Sequence, residues 1–139
     1  MEIDTSTDFG ARAARHLQDD RVVWLITVDA DGTPQPSPVW FLWDGETALV
    51  YSQPSTPKLR NIGRQSRVGL HFNCTPSGGD VVILTGDASI DTGAPPANEN
   101  PAYVDKYTDG IQSIGMTPDA FAQVYSVAIR VRPTSLRGH

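Results

Sequence analysis

Cysteine is nearly absent from this chain. Cys74 stands alone among 139 residues, so no intramolecular disulfide can staple the fold. A single thiol beside apolar residues reads as an inert, partly buried side chain. Histidine is scarce too: His16, His71 and His139 are too widely spaced for paired ligation, so no metal site is expected. His16 reads as a helix-surface residue and His71 as a strand residue without a catalytic role. The G-x-S-x-G and G-x-x-x-x-G-K-[ST] patterns are both missing, which removes the signatures of serine hydrolases and P-loop nucleotide binders. No stretch approaches the roughly 20 apolar residues of a membrane helix. The polar, acidic Met1–Thr7 does not resemble a secretory signal, so a cytoplasmic location is expected. The net charge of −5 and pI of about 4.9 argue against nucleic acid and anionic membrane surfaces as partners.

What is present is turn-rich and globular, with 39% hydrophobic residues, 12 glycines and 11 prolines. The length suits a single domain over residues 1–139. Asp8 is a plausible N-cap for a helix over about 9–18, where Phe9, Ala13, Ala14 and Leu17 share a face. Short β-type runs follow over 22–28, 35–43, 48–51, 68–72 and 81–90, with a last one over 124–132. Asp31-Gly32 and Asp44-Gly45 close the first two hairpins. Gly86 inside the fifth run suggests a bulge. In the last run Tyr125, Val127, Ile129 and Val131 are read on one face, with Ser126, Arg130 and Arg132 opposite. Helices are expected over 57–65 (capped by Ser55 or Thr56), 102–109 and 118–123 (capped by Thr117), and a loop over 92–101. The whole reads as mainly β: a six-stranded antiparallel Greek-key barrel over about 22–132.

Pro34, Pro36 and Pro38 recur two residues apart. Proline cannot donate to a ladder, so this half of the second run is either a protected edge or a split where a ligand meets open backbone. Trp24, Trp40 and Trp43 all fall in β-type runs, as core or dimer contacts, with stacking against a ligand ring open to them.

Charge is the most uneven feature. No Asp or Glu occurs between Thr47 and Gly79, whereas Lys58, Arg60, Arg64 and Arg67 all do. Tyr51-Ser52-Gln53-Pro54-Ser55-Thr56-Pro57-Lys58 ends a strand, passes through a hydroxyl-rich loop and opens a helix with lysine in its first turn. Cationic side chains beside free helix N–H groups favour an anion such as phosphate. Helical spacing puts Lys58, Asn61 and Gln65 on one stripe and Arg60, Arg64 and Arg67 on the next. A merely solvated basic face is the competing reading.

Trp24–Pro34, Pro38-Val39-Trp40-Phe41, Asp44-Gly45, Tyr51-Ser52 and Lys58-Leu59-Arg60-Asn61-Ile62, in that order and spacing, resemble the pyridoxamine 5′-phosphate oxidase-like split β-barrel superfamily. The closer resemblance is to its actinobacterial branch of F420-dependent reductases, over about Val22 to Arg132. It implies an FMN-binding-type split barrel that pairs into a homodimer, with cofactor sites at the interface. Carried over by position, Ser52, Gln53, Lys58 and Asn61 are cofactor contacts and Lys58 holds the phosphate. Arg60 is a helper; Arg64 and Arg67 are surface charges. Pro38, Val39 and Trp40 line the ring, and residues of a partner around 71–73 complete the site.

The implied activity is hydride transfer from reduced F420 to an unsaturated small molecule, with no catalytic side chain required because the cofactor carries the chemistry. FMN as cofactor, or a non-catalytic F420 or flavin carrier, are the alternatives. The chain ends without the basic and aromatic C-terminal elements of true pyridoxamine phosphate oxidases, which argues against that substrate.

Overall fold

The computed structural model describes residues 1–139. A helix, α1 (Asp8–Asp19), precedes strands β1 (Val23–Val28), β2 (Pro34–Val39), β3 (Leu42–Trp43) and β4 (Ala48–Ser52). Helix α2 (Pro57–Arg64) leads to β5 (Arg67–His71) and β6 (Val82–Ile90). A 3-10 turn (Ala97–Glu99), α3 (Pro101–Ser113), α4 (Pro118–Val124) and β7 (Val127–Gly138) complete the chain. No helix is long and apolar enough to cross a membrane.

All seven strands form one antiparallel sheet in the order β2-β1-β5-β6-β7-β4-β3. The strand count corrects the expected six. The run over 35–43 is not one strand: it breaks at Trp40–Phe41, pairing with β1 before the break and with β4 after it. Its two halves therefore form the two edges of the sheet, and the sheet must curl round to let one short segment reach both. The prolines lie on β2 opposite Val28, Ile26 and Trp24. Their missing N–H groups are tolerated because β2 has no neighbour on its other side.

The break is held from outside by α3. The Phe41 N–H donates to the Tyr107 hydroxyl at 2.8 Å. That hydroxyl has the carbonyls of Arg21 (2.7 Å) and Phe41 (2.9 Å) as acceptors. Lys106 Nζ donates to the same Phe41 carbonyl at 2.9 Å and lies 3.8 Å from the centroid of the Phe41 ring. Burial, with Arg21 adding repulsion, lowers the Lys106 pKa to about 8. A strand that leaves one neighbour for another exposes backbone groups, and these side chains satisfy them.

Two apolar clusters result. Leu25, Phe41, Val50, Leu70, Leu84, Ile129 and others fill the sheet's concave side, with Ala13 and Leu17 of α1 packed among them. Tyr103, Tyr107, Ile111 and Phe121 of α3 and α4 pack with Leu49, Tyr51 and Ala128 in a second cluster. Gly86 is a bulge as expected, with a register shift after Thr85. A Cβ there would lie 2.2 Å from the Arg132 carbonyl oxygen. Beyond the bulge β7 stays paired with β6 and continues to Gly138, past the expected end at Arg132.

Several local expectations need correcting. Thr7, not Asp8, caps α1: its hydroxyl accepts from the Gly10 N–H at 2.9 Å. Residues 124–126 are not strand, because Val124 ends α4 and Tyr125 caps it. Trp40 lies between strands rather than in one. The loop over 92–101 contains the 3-10 turn, with Ala97 buried. Thr117 does cap α4, accepting from the Ala120 N–H at 3.1 Å.

His16 is not a surface residue. It stacks on Phe72 at 5.0 Å, with Nδ1 2.7 Å from Asp20 and Nε2 2.9 Å from Asp80. Arg12 also pairs with Asp80, at 2.9 Å. Burial draws the His16 pKa down, but hydrogen bonds and charge from Asp20 and Asp80 outweigh it, and the net shift is upward from 6.5. A raised histidine pKa stabilises the fold below the unfolded value and loses that contribution as pH rises through the folded value.

Wild type should therefore melt higher at pH 6 than at pH 8 in part through His16, and His16→Gln should shrink that difference in paired melting curves. Tyr107→Phe leaves the buried Phe41 N–H unpaired and should lower stability by about 2–3 kcal/mol in urea unfolding.

Candidate functional site

The site begins at the end of β4, where pairing with β7 stops at Ser52. The Ser52 hydroxyl donates to the Gln53 carbonyl at 2.8 Å and lies 3.2 Å from Thr56 Oγ1. Ser55 takes a left-handed conformation (φ 64°), and Arg60 Nη1 donates to its carbonyl at 2.9 Å. Thr56 is the N-cap of α2 and Pro57 opens the helix, yet the Thr56 side chain makes no capping bond. The helix N-terminus, with its partial positive charge, thus has no side-chain oxygen on it.

Lys58 stands in that first turn. It is half-buried, forms no ion pair, and burial alone lowers its pKa. The acid-free window explains this isolation, since the acids nearest in sequence lie before Thr47 and after Gly79. Two cationic elements therefore lie side by side with no carboxylate paired to Lys58; Asp29 and Asp31 stand on the polar cleft that Lys58 also lines.

Lys58 lies between two clefts. One, of about 390 Å³, is lined by Pro38, Val39, Trp40, Tyr51, Ser52, Gln53, Thr56 and Lys58 from the sheet side, and by Tyr103, Ile114, Phe121 and Tyr125 from α3, α4 and the residues flanking them. The other, of about 600 Å³, is polar and includes Lys58, Arg60, Asn61, Arg64, Gln35 and Asp29. Between them the two clefts contain all eight residues singled out from the sequence: Pro38, Val39, Trp40, Ser52, Gln53 and Lys58 in the first, Arg60 and Asn61 with Lys58 in the second.

The individual roles differ. Asn61 is buried, with its amide donating to Thr27 Oγ1 at 3.0 Å, which docks α2 on β1, and its carbonyl accepting from Arg64 of the same helix at 2.8 Å, so both ends are already engaged. Arg64 is exposed and unpaired with any carboxylate, as expected of a surface charge, and it also lines the polar cleft. Arg67 lies in β5 and pairs with Asp87 at 3.2 Å, outside both clefts. Arg60 lines the same cleft as Lys58.

Trp40 is stacked on Tyr107 at 4.7 Å and on Phe121 at 5.6 Å. Gly110 permits this: a Cβ there would lie 3.0 Å from the indole. The strand break that closes the sheet also sets the indole as a wall of the first cleft.

The residues missed from the sequence are those from α3 and α4 and their flanks: Tyr103, Ile114, Phe121 and Tyr125, with Tyr51 and Thr56 on the sheet side. A signal existed in the spacing of Tyr103 from Tyr107 and of Phe121 from Tyr125, each four apart, which puts aromatic rings on one helical face. Which surface that face would cover was not legible.

The family model for pyridoxamine 5′-phosphate oxidase matches residues 9–137. The chain belongs to this family. Among solved structures, an F420 reductase is 26% identical, with 88% of this chain and 94% of that one covered and a TM-score of 0.63. A conserved hypothetical protein of Mycobacterium tuberculosis is 23% identical over 91% of this chain and 81% of its own, with a TM-score of 0.69. HutZ, the heme storage protein from Vibrio cholerae, is 16% identical over 99% and 95%, with a TM-score of 0.62. The latter two show the fold alone. No curated protein sequence matches the chain. Membership of the pyridoxamine 5′-phosphate oxidase family gives the sheet a known architecture and makes a flavin-type ligand the natural occupant to test against the clefts. The fit is good: the uncapped helix start and unpaired Lys58 suit a phosphate, and the aromatic cleft beside them suits a planar ring.

Proposed function

We propose that this member of the family is a reductase that uses coenzyme F420, transferring a hydride to an unsaturated, conjugated small molecule. The observation that carries the reading is Lys58: a half-buried cation without an anionic partner, at an uncapped helix start, opening on an aromatic cleft. The F420 reductase relative at 26% identity favours a deazaflavin over FMN.

Hydride chemistry comes with the cofactor when it is bound, so the protein's tasks are binding, orientation and exclusion of water. Lys58 and the α2 N-terminus would hold the phosphate, with Ser52, Thr56 and Gln53 supplying polar contacts along the loop. Arg60 would act by holding the Ser55 carbonyl and by adding charge to the polar cleft. Asn61 would act indirectly, by keeping α2 against β1. Pro38, Val39 and Trp40 would flank the ring. Their position at the sheet's open edge leaves backbone groups of one strand available to a ligand.

The working form would be a homodimer. The outer face of β1 and β5 carries Trp24, Ile26 and His71 only partly buried, with Trp24 and His71 stacked at 6.0 Å. Residues around His71–Asn73 of a second copy would complete each site, and a small molecule would be the second substrate. Size-exclusion chromatography with light scattering should read twice the chain mass of 15.1 kDa; a monomer at micromolar concentration would remove the dimer from the reading.

The cofactor is tested by titrating the protein with F420 and with FMN, using wild type and Lys58→Met. Wild type should prefer F420, and the variant should bind it about 10–100-fold more weakly, the loss expected for one charge-assisted contact. The same variant should melt no lower than wild type, because the ammonium has no protein partner to lose. Tight FMN binding with none for F420 would move the assignment to a flavin enzyme. Binding of F420 without turnover of any quinone, enone or nitroaromatic would make the protein a carrier.

A further inference from the structure

The α3–α4 side of the first cleft contains a polar atom that nothing in the protein satisfies. Tyr103 is fully buried, and its hydroxyl has no hydrogen-bond partner. Its ring neighbours do not share this fault. The Tyr51 hydroxyl donates to the Pro95 carbonyl at 2.7 Å and accepts from Asn100, and Tyr107 is engaged at the strand break. Buried hydroxyls are ordinarily paired, since an unpaired one forfeits the bond it made to water.

The surroundings restrict what could pair with it. Tyr51 meets the Tyr103 ring edge-on at 4.8 Å, Tyr107 lies at 4.8 Å and Phe121 at 5.9 Å. These rings offer an apolar, flat-sided environment suited to a planar partner. Burial first, then the neighbouring tyrosines, push the Tyr103 pKa well above the ordinary tyrosine value, so the group remains a hydroxyl and a donor. Ile114 and Tyr125 belong to the same wall and neither is buried.

We propose that the Tyr103 hydroxyl donates a hydrogen bond to a carbonyl oxygen of the planar, conjugated molecule that fills this cleft. It thereby selects carbonyl-bearing ligands over hydrocarbons of the same shape. This rests on the reading of the cleft as a ring-binding site. The carbonyl can come from the deazaflavin ring or from the molecule it reduces; both present the same acceptor to the hydroxyl.

The test is Tyr103→Phe, which removes the hydroxyl and keeps the ring. Because no protein contact is lost, the variant should melt at or above the wild-type temperature. A clearly lower melting temperature would overturn the proposal by revealing a partner within the protein. Calorimetric titration with menadione and with 2-methylnaphthalene compares one skeleton with and without its two carbonyls. The variant should bind menadione about fivefold more weakly and 2-methylnaphthalene within twofold of wild type.

Titration with F420 separates the two sources. Weaker F420 binding in the variant assigns the carbonyl to the cofactor; unchanged F420 binding with weaker menadione binding to the F420-loaded protein assigns it to the acceptor. Equal effects on both naphthalenes, or no effect on menadione and F420 alike, would overturn the proposal. The comparison of the two naphthalenes needs neither F420 nor Lys58. Its failure is therefore distinct from a failure of the cofactor assignment.

Discussion

The structure turns on a two-residue interruption, Trp40–Phe41, in what would otherwise be one long strand. A strand that changes neighbours must leave backbone groups unpaired where it crosses. In this chain Tyr107 and Lys106 take up the N–H and carbonyl of Phe41. The same crossing turns Trp40 outward onto Tyr107 and Phe121, while Phe41 turns into the sheet's interior. Closure of the sheet, docking of α3 and one wall of the first cleft are thus consequences of a single event. Hydrogen bonding makes it obligatory, because unpaired backbone in this buried position is too costly to leave.

Electrostatics supplies the second constraint. The protein is acidic overall, and four of its eleven lysine and arginine side chains pair with carboxylates: Arg12 with Asp80, Arg67 with Asp87, Arg130 with Asp91 and Arg132 with Glu46. Lys58 is not among them, and it stands in a stretch of sequence free of acids. Within the low-dielectric lip of a cleft an unpaired cation is unfavourable, and an arriving anion relieves it. Binding affinity at such a point is stored in the unliganded protein as an unsolved electrostatic problem. Tyr103 is the neutral counterpart on the opposite wall, a donor buried without an acceptor.

Much of this is legible in the sequence. Hairpin turns, the bulge at Gly86, the helix opened by Thr56-Pro57 and the acid-free window follow from local chemistry, which acts over a few residues and leaves a direct trace in composition. The differences between sequence and structure have two origins, local ambiguity and remote partners. The Gln35–Trp43 run looked like one strand because the apolar stretch Val39-Trp40-Phe41-Leu42-Trp43 passes through the break without a turn residue, and nothing nearby marks a change of partner. Asp8 and Thr7 are both good caps, and the choice depends on which hydroxyl or carboxylate meets the Gly10 N–H. His16 looked like a surface residue because Asp80, which holds it, is 64 residues away in sequence.

For Lys58, sequence alone determined the charge, its lack of acidic neighbours and its place in a helix's first turn, because spacing along a chain sets all three. It also determined that the neighbouring loop would be hydroxyl-rich and the second run proline-rich. Only the tertiary structure decided that these features share a cleft with Tyr103, Phe121 and Tyr125, which lie some fifty or more residues beyond the loop that opens α2. It also decided that Asn61 spends its amide on docking the helix while Lys58 stays unpaired. The reason is that burial and partner choice depend on the packing of remote elements, and residues close together along the chain carry no record of it.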